Sequence, residues 1–357
     1  MSEPWEGDSP GGRLRSARWA GFGGTVIGEI ARLAKSRGAV DLALGSPELP
    51  PPEAVLRAAA EAVLAGVNQY TSSWGDETLR QAIAAKVEQE RGVRLDPAAE
   101  ITVTCGATEG MLDVIMAVAD AGDEVILFEP YYENYLQIAV ATGMRPRFVR
   151  LHRPEWTFDE RELAAAFSPR TKLVILNTPN NPTGKVLSAE ELQIVAGLCR
   201  RWNVLCLSDE VYEHLVFDGG EHRSMIEIAG MRERTAVVNS LSKTYSVTGW
   251  RVGYVVAPPD LTAAIRTVHD VATYCAPAPL QAAAVTALRL PAAYYRDLRG
   301  TLERHRDHLR GSLESSGFRC HGAAGGYFMM TDLGGFGCET DHDLSQYLIS
   351  RVGVAAV

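Results

Sequence analysis

The sequence contains the stretch Ala236-Val-Val-Asn-Ser240-Leu-Ser-Lys243-Thr-Tyr-Ser-Val-Thr-Gly-Trp-Arg251, an apolar run followed by a loop rich in hydroxyl groups. The apolar run predicts the end of a buried strand. A lysine that forms an imine needs a fixed, partly desolvated position and a neighbour that lowers its pKa. The hydroxyl groups of Ser240 and Ser242, together with Arg251, would also bind a phosphate beside Lys243. Taken alone, a lysine near serines is more often a solvated surface residue, so this interpretation needs partners elsewhere in the chain.

Length, charge and cysteine content limit the class of protein. A chain of 357 residues can bury a large core and is expected to divide into two domains. A formal net charge of −9 argues against nucleic-acid binding, which needs a basic face. No apolar run approaches the roughly 20 residues that span a bilayer. The six cysteines are scattered without a CxxC pair, and the histidines form no HExxH motif. We therefore predict a cytoplasmic protein with no membrane or nucleic-acid partner and no metal site.

From Ile101 onwards, short apolar runs alternate with helix-like segments, which is the pattern of a parallel sheet with crossover helices. The runs are 101–104, 124–128, 147–151, 173–176, 204–207, 236–238 and 252–256. The intervening helices lie near 109–119, 131–142, 160–166, 188–202, 224–230 and 259–273. Earlier segments predict helices at 25–35, 53–65 and 77–91 and a short strand at 39–44, and a helical stretch at about 278–316 precedes a strand at 328–332.

This pattern predicts an α/β fold: a doubly wound, mostly parallel sheet in a large domain, with a smaller α+β domain built from both chain ends. The predicted divisions are a flexible lead (1–24), an N-terminal part of the small domain (25–48), the large domain (49–280) and a small C-terminal domain (281–357). Binding residues are expected just beyond the carboxyl ends of the parallel strands.

Small and aromatic residues follow two of these strands. Cys105-Gly-Ala107-Thr108 opens a helix, and a small-residue turn at a helix N-terminus offers free N–H groups to an anion. Such turns also occur with nothing bound. Glu129-Pro-Tyr131-Tyr132 follows the next strand, and one of its rings placed there would stack on a flat heterocycle, although paired tyrosines are more often core or interface residues.

Polar side chains follow two further strands. The loop Asn177-Thr-Pro-Asn-Asn181-Pro-Thr-Gly184 is either a simple turn or a rigid support that offers the Asn181 amide to a phenolic oxygen. Ser208-Asp209-Glu-Val-Tyr212 places a carboxylate at a buried strand end, which is costly unless it is paired. A partner ring nitrogen would stay protonated beside Asp209 and make the ring an electron sink.

One cofactor chemistry requires all of these groups together: a lysine for an imine, an aspartate for a pyridinium, an amide and a tyrosine for a phenolate, and an anion site with an arginine for a phosphate. The sequence resembles the fold-type I, pyridoxal-phosphate-dependent aminotransferases of class I/II, and most nearly the branch of kynurenine and glutamine aminotransferases and cysteine-conjugate β-lyases. The resemblance covers residues 25–357. Its motifs are Asn68-Gln-Tyr70, Asn177-Thr-Pro-Asn-Asn181-Pro-Thr-Gly-Lys185-Val, Asp209-Glu-Val-Tyr212, Gly230-Met-Arg-Glu-Arg-Thr235, Ser240-x-x-Lys243-Thr, Gly249-Trp-Arg251-Val-Gly253 and Gly326-Tyr-Phe328.

The resemblance implies a role for individual residues, with residues 49–280 as the domain that binds pyridoxal 5′-phosphate. Lys243 matches the Schiff-base lysine, which also moves the substrate α-proton, and Asp209 matches the partner of the pyridine nitrogen. Around the ring, Asn181 and Tyr212 match the phenolic-oxygen pair, and Tyr132 matches the stacking aromatic. The phosphate cup corresponds to Ala107, Thr108, Ser240 and Arg251, with Ser242 as a further candidate.

Three further residues match positions for the substrate or the partner subunit, and Asn181 is predicted to contact the substrate as well as the cofactor. Gly45 matches the glycine whose N–H meets the substrate carboxylate. Tyr70 matches a tyrosine that reaches the phosphate of the neighbouring subunit, and Tyr274 lies where the branch has an aromatic near the partner's substrate pocket. The resemblance therefore implies a homodimer with shared active sites. On residues alone, the loop Gly45-Ser-Pro-Glu-Leu-Pro-Pro-Pro52 reads equally well as a linker.

Two departures from the family pattern stand out. The loop Leu44-Gly-Ser-Pro-Glu48 is shorter than the kynurenine-type form, which weakens an aromatic-substrate interpretation. Family members continue beyond the position of Val357 to an arginine that binds the substrate α-carboxylate, and we expect the sequence to be cut short before it.

Three functions fit the sequence. The favoured function transfers the α-amino group of an L-amino acid, neutral or aromatic, to a 2-oxo acid by a ping-pong cycle. The second is β-elimination, replacement or cyclisation on the same scaffold, because each of these also begins with removal of the α-proton by Lys243. The third is a non-enzymatic regulator that fuses this fold to a DNA-binding domain, and residues 1–24 are too few for a winged helix.

Overall fold

The structure is a computed structural model that describes Ser16 and residues 25–332, 336–338 and 340–357. The predicted flexible lead, residues 1–24, lies outside the described residues except for Ser16. The α-helices are α1 Val26–Arg37, α2 Glu53–Leu64, α3 Glu77–Arg91, α4 Ala107–Val118, α5 Asn134–Ala141, α6 Glu160–Ala166, α7 Ala189–Trp202, α8 Pro259–Ala272, α9 Ala278–Leu288, α10 Ala292–Ser315 and α11 Asp341–Tyr347. Among the described helices, none is both long and apolar enough to cross a membrane.

The strands are β1 Val40–Asp41, β2 Ile101–Thr104, β3 Glu124–Glu129, β4 Arg145–His152, β5 Thr157–Phe158, β6 Thr171–Asn177, β7 Leu205–Asp209, β8 Thr235–Ser240, β9 Gly253–Val256, β10 Cys320–His321, β11 Met330–Thr331 and β12 Val354–Ala355. Eight of them form one sheet in the order β2-β9-β8-β7-β6-β3-β4-β5. The central pairs β8–β7, β7–β6, β6–β3 and β3–β4 are all parallel. This arrangement is the predicted doubly wound, mostly parallel sheet.

Strand β9 departs from the predicted parallel pattern, because it pairs antiparallel with both β8 and β2. The connection from β8 to β9 contains only the 3₁₀ turn Thr248–Trp250 and no crossover helix. Parallel neighbours need a crossover of a dozen or more residues, usually helical, so the chain reverses here instead. The reversal brings the N-terminal end of β9 to the edge where the parallel strands end.

Side chains of the central strands alternate between two hydrophobic clusters, one on each face of the sheet. On β3, Val125 and Leu127 pack with α4 and α8, whereas Ile126 and Phe128 pack with α7. Successive residues of a strand point to opposite faces, so continuous apolar runs indicate a sheet that is covered on both sides. Burial of each such side chain contributes about 1.5–3 kcal/mol.

The two ends of the described chain meet in a smaller unit. Strand β1 pairs in parallel with β12, with Val40 opposite Val354. Beneath this pair, Ile30 of α1 packs in one cluster with Ile349 and Ala355. The chain ends therefore share a core, as the predicted fold class requires, while the domain boundaries at 48/49 and 280/281 stay predictions.

Several predicted elements are shorter than expected, for local reasons. The strand predicted at 39–44 ends at Asp41, because the Asp41 carboxylate accepts hydrogen bonds from the backbone N–H groups of Ala43 and Leu44. The helix predicted near 224–230 is a single 3₁₀ turn, Met225–Glu227. The strand predicted at 328–332 contains only Met330–Thr331.

The helical stretch predicted at about 278–316 is two helices rather than one. It divides between α9 and α10 at Pro291, the N-cap of α10. Proline lacks the N–H that an internal helical hydrogen bond needs, so the first helix ends before it. The two short strands β5 and β10 were not predicted, because a two-residue strand carries no periodic signal.

Candidate active site

A pocket of about 250 Å³ opens at the edge where the parallel strands end. Its walls come from loops that follow β2, β3, β6, β7 and β8, from the segment before β9, and from the N-terminal segment around Gly45. Eleven sequence-predicted site residues line it: Gly45, Ala107, Thr108, Tyr132, Asn181, Asp209, Tyr212, Ser240, Ser242, Lys243 and Arg251. The carboxyl edge of a parallel sheet is where open α/β folds bind ligands.

Lys243 lies half-buried on the tight turn that follows β8. The Tyr327 hydroxyl donates to its backbone carbonyl over 2.5 Å, and the Tyr294 hydroxyl donates to the carbonyl of Thr244 over 2.7 Å. These two bonds fix the turn, and the Lys243 amine donates to the carbonyl of Gly45. Burial lowers the pKa of Lys243 to about 8, with the Asp209 carboxylate acting in the opposite direction and Arg251 adding to the decrease. A lysine with this pKa is partly neutral, and therefore nucleophilic, near neutral pH.

Asp209 is the last residue of β7 and is almost fully buried. Burial raises the pKa of its carboxyl to about 6, and hydrogen bonds from the Tyr135 hydroxyl and the Val211 backbone N–H counteract that increase. The Tyr135 hydroxyl lies 2.5 Å from Asp209 Oδ2. A buried carboxylate that lines a pocket and is held ionised by hydrogen bonds is suited to pair with a cation in that pocket.

Asn177 couples the two loops that follow β6 and β7. It pairs with Asp209 in the register of these strands, and its side-chain amide donates to the Asp209 carbonyl over 3.1 Å. Its side-chain oxygen accepts from the backbone N–H of Asn181 over 2.6 Å. The Asn181 loop is therefore tied to the strand that carries Asp209, and both residues face the same pocket.

An anion-binding cup is present at the N-terminus of α4. Gly106 caps this helix with φ +82° and, among the described residues, no side chain caps it, so its first N–H groups can face an anion. Arg251 lies beside it and donates to the carbonyls of Thr248, over 3.0 Å, and Cys105, over 3.4 Å. A Cβ on Gly106 would come within 2.7 Å of the Arg251 Cζ atom, so glycine is what allows the guanidinium to approach the start of the helix.

Gly45 lies on the opposite side of the pocket, beneath the ring of Phe328. A Cβ at this position would come within 2.9 Å of the ring's Cε1 atom, so the close approach of backbone and ring requires glycine. The ring of Phe328 also packs edge-on against Tyr212, at 6.3 Å between centroids. Together with Ile27 and Leu44, Phe328 makes this side of the pocket apolar.

Two predicted site residues, Tyr70 and Tyr274, do not line the pocket of their own chain. They pack against each other edge-on, with 5.1 Å between ring centroids. The side chain of Tyr70 is 79% exposed and that of Tyr274 is 48% exposed. Both rings are therefore available to a second chain.

Sequence reasoning missed several residues of the pocket. Tyr135 and Thr248 line it, although neither was predicted to have a role. Asn177 and Phe328 stood in motifs that were recognised, but they too had no role. The available signal for Tyr135 was its position one helical turn after Tyr132, which places both rings on one side of the same segment.

Comparisons with known proteins identify the family. A family model for aminotransferase class I and II matches residues 37–357. N-succinyldiaminopimelate aminotransferase from Mycobacterium tuberculosis has a similar structure, with a TM-score of 0.94 and 37% identity over 96% of this chain and 90% of that chain. YbdL from Escherichia coli, a methionine aminotransferase, has a TM-score of 0.92 and 35% identity over 96% and 90% of the two chains. Kynurenine–oxoglutarate transaminase 1 from Homo sapiens is 36% identical over 344 residues, which are 91% of this chain and 82% of the relative.

The chain belongs to the class I and II aminotransferases. It is a pyridoxal-phosphate-dependent transaminase, acting between amino acids and 2-oxo acids. The predicted family, fold class, type of enzyme and cofactor are thereby confirmed. Transamination is favoured over the elimination or cyclisation alternative.

The pocket fits pyridoxal 5′-phosphate in two independent respects. The helix N-terminus without a side-chain cap matches a phosphate, and Gly106 lets the Arg251 guanidinium lie close beside it. The buried Asp209 carboxylate lies in the same pocket as the Lys243 amine and matches a protonated ring nitrogen. The donor set of the pocket therefore corresponds to the phosphate, the ring and the aldehyde of one molecule.

Proposed function

We propose that Lys243 is the residue that holds the cofactor covalently and moves the substrate α-proton, with Asp209 as the partner of the ring nitrogen. The observation that carries this proposal is the convergence of a partly neutral lysine, a buried carboxylate and an uncapped helix N-terminus in one pocket. When bound, the cofactor supplies an electron sink for charge that develops at the substrate α-carbon. The neutral Lys243 amine accepts the proton, and the Gly45 segment holds the substrate above it.

The remaining assignments divide by the part of the cofactor they would contact. Tyr132 would stack on the ring, and Asn181 and Tyr212 would bond its phenolic oxygen. The cup would hold the phosphate group through Ala107, Thr108, Ser240, Ser242 and Arg251. This division is supported by the segments that carry these residues along the pocket edge. Tyr132 follows β3, Asn181 follows β6 and Tyr212 follows β7, whereas the cup residues lie after β2, at the end of β8 and between β8 and β9.

The amino donor that the pocket supports best is a neutral or aromatic L-amino acid. Among the described residues that line the pocket, the only cations are Lys243 and Arg251, and both already have a proposed role. The substrate side is lined by Ile27, Leu44 and Phe328, which offer no partner to a side-chain carboxylate. Two of the similar proteins are named for kynurenine and methionine, which agrees with an apolar side-chain site.

N-succinyldiaminopimelate is a second candidate donor, favoured by the similarity to the M. tuberculosis enzyme. This substrate carries carboxylates far from the reacting carbon, so it requires cationic groups beyond the two that line the pocket. The two candidates therefore differ in whether a positive charge outside the pocket of one chain contributes to binding.

A half-reaction screen distinguishes these donors. The holoenzyme is mixed with one amino acid and no oxo acid, and conversion of the cofactor is followed by absorbance while the oxo acid formed is identified by mass spectrometry. Methionine and aromatic amino acids should react at least tenfold faster than aspartate, because a buried unpaired carboxylate is costly. Aspartate as the best donor would refute the apolar assignment, and a preference for N-succinyldiaminopimelate would support the second candidate.

A separate experiment tests which lysine holds the cofactor. Borohydride reduction of the holoenzyme followed by peptide mapping should place the adduct on Lys243 rather than on Lys185 or Lys172.

We further propose a homodimer in which Tyr70 and Tyr274 serve the neighbouring site, supported by their exposure and mutual packing. A cytoplasmic location is proposed from the six free thiols, which persist in a reducing compartment.

A further inference from the structure

Helix α5 presents Tyr135 to the floor of the pocket. The side chain is only 3% exposed, and its hydroxyl donates to Asp209 Oδ2 over 2.5 Å. The contact joins two residues that lie 74 positions apart. Tyr135 also packs edge-on against Tyr132, with 5.6 Å between centroids. The aromatic body of Tyr135 thus belongs to the core, while its single polar atom is committed to a carboxylate of the pocket.

The carboxylate of Asp209 has two supports in the described structure. Oδ2 accepts from Tyr135, and Oδ1 accepts from the backbone N–H of Val211 over 3.3 Å. Each carboxylate oxygen can accept more than one hydrogen bond, so both retain capacity to face a ligand in the pocket. The two bonds from different directions fix the rotation of the carboxyl group.

Hydrogen bonds to a carboxylate favour its charged form, whereas burial disfavours it. The ionisable groups facing Asp209 are Tyr135 from α5, Lys243 from the turn after β8, Tyr132 before α5, and Tyr212 after β7. Of these groups, Lys243 donates its hydrogen bond to the Gly45 carbonyl instead. Among the described side chains, the Tyr135 hydroxyl is the one that donates a hydrogen bond to the Asp209 carboxylate.

We propose that Tyr135 is a positioning residue for Asp209, which it keeps ionised and oriented toward the cofactor's ring nitrogen. The inference rests on the proposed role of Asp209, and it assigns a function in the reaction to a buried side chain of the hydrophobic core. Loss of the hydroxyl leaves the carboxylate buried with weaker support, so the carboxylate takes up a proton at higher pH. A protonated Asp209 no longer keeps the ring nitrogen charged.

The test replaces Tyr135 with phenylalanine, which retains the ring and its packing. The matched control is Tyr131→Phe on the same segment, because the Tyr131 ring stacks on Phe148 at 5.7 Å and its hydroxyl does not contact Asp209. In the cofactor-free protein, the carboxyl stretch of Asp209 is followed by infrared difference spectroscopy across pH, with Asp209→Asn identifying the band. The titration midpoint should rise by roughly one pH unit in Tyr135→Phe and stay unchanged in Tyr131→Phe.

In the holoenzyme, Tyr135→Phe should lower kcat about tenfold or more, change KM little, and move the acidic limb of the pH–rate profile upward. A double-mutant cycle completes the test, since Tyr135→Phe should have no further effect on kcat in an Asp209→Asn background. An unchanged infrared midpoint and an unchanged acidic limb would show that Tyr135 only fills space. Wild-type turnover by Asp209→Asn itself would instead overturn the proposed role of Asp209. The infrared midpoint in Tyr135→Phe would still show whether the Tyr135 hydroxyl keeps the Asp209 carboxyl ionised.

Discussion

At the scale of single residues, the reactivity of Lys243 is set by its surroundings. Burial holds the pKa of its amine at about 8, below the ordinary value of 10.5. Two charges act on it in opposite directions, because Asp209 favours the ammonium form and Arg251 disfavours it. The amine is held against the Gly45 carbonyl, at the side of the pocket where the substrate is proposed to bind.

Because these two charges act in opposite directions, substitutions of Asp209 and Arg251 should shift the titration midpoint of Lys243 in opposite directions. In the cofactor-free enzyme, the reaction of Lys243 with an amine-specific reagent should increase with pH through a midpoint near 8, since only the neutral amine reacts. Asp209→Asn removes the charge that favours the ammonium, so the midpoint should fall. Arg251→Gln removes a repelling cation, so the midpoint should rise. Modification is quantified by peptide mass spectrometry, and shifts in the same direction for both variants would contradict this account.

At the scale of elements, the anion cup depends on how closely β9 approaches the start of α4. A Cβ on Gly253 would lie 2.6 Å from the Gly106 carbonyl carbon and 2.7 Å from the Ala107 backbone nitrogen. These neighbours are backbone atoms, so they cannot rotate away as a side chain would. Gly253 is therefore required by packing between a strand and a helix terminus, while its own dihedral angles are ordinary.

We expect Gly253→Ala to displace the first turn of α4 and weaken cofactor binding at least tenfold, because the N–H groups of the cup lose their geometry. The dissociation constant is measured by titrating the cofactor-free enzyme and following protein fluorescence. Gly197→Ala on α7 is the control, since its added Cβ meets no atom within 4 Å. Equal affinity in both variants would show that the cup tolerates displacement.

A buried ionic cluster holds α8 against α4 on the outer side of the cup. His269 Nδ1 lies 2.9 Å from Glu109, and Asp113 is 3.6 Å away. The other nitrogen, Nε2, lies 2.8 Å from the Ser73 carbonyl oxygen. Because a carbonyl oxygen only accepts hydrogen bonds, Nε2 carries a proton and donates it. Glu109 in turn accepts from the Cys105 backbone N–H and the Thr273 hydroxyl, so one carboxylate links the cup to the end of α8.

This cluster predicts a pH-dependent contribution to stability. Burial works against the charged imidazole, but the nearby Asp113 carboxylate and the hydrogen bond to Glu109 raise the pKa of His269 to about 10. The pKa is higher in the folded than in the unfolded state, so the stabilisation is complete below about pH 6.5 and is lost as pH rises toward 10. His269→Ala should cost roughly 3–5 kcal/mol at pH 6, because it leaves buried carboxylates unpaired. Urea unfolding of both proteins should show this difference shrinking by pH 9, and a difference that is constant with pH would rule out the ionic contribution.

At the scale of the whole molecule, the surface around Tyr70 and Tyr274 bears on assembly. Val271, close by on α8, is 87% exposed, and Leu64 at the end of α2 is 86% exposed. Large exposed apolar side chains of this kind are typical of interaction surfaces. A two-fold interface would place the two tyrosines of one chain near the pocket of the other.

Subunit complementation tests the shared site. Lys243→Ala and Tyr70→Phe homodimers should each have low activity, and mixed subunits should regain part of it, because one of the two sites in each heterodimer is then intact. The heterodimer is isolated through two different affinity tags before activity is measured. Mixing Lys243→Ala with Asp209→Asn is the control, since under the same logic it restores no site. Failure of the first mixture to exceed the second would place Tyr70 in its own chain's site or outside any site.

The sequence alone determined the parts of this protein that depend on local pattern. Apolar runs and their periodicity predicted the central strands, because burial on both faces requires continuous apolar residues. Parallel strands bring their carboxyl ends to one edge, so the sequence alone predicts that the residues that follow them, from Ala107 to Lys243, lie together. Element ends and the two-residue strands were less predictable, since single hydrogen bonds such as those of Asp41 decide them.

Only the tertiary structure decided which distant side chains touch. The Tyr135–Asp209 hydrogen bond spans 74 residues, and the approach of Phe328 to Gly45 brings together segments from the two ends of the chain. The reversal that makes β9 antiparallel likewise sets the position of Arg251 beside Gly106. No local periodicity encodes such contacts, because they depend on how helices and strands pack once they have formed. The side chains proposed to bind the cofactor could be predicted from the sequence. The contacts that set their orientation and pKa values are known only from the folded structure.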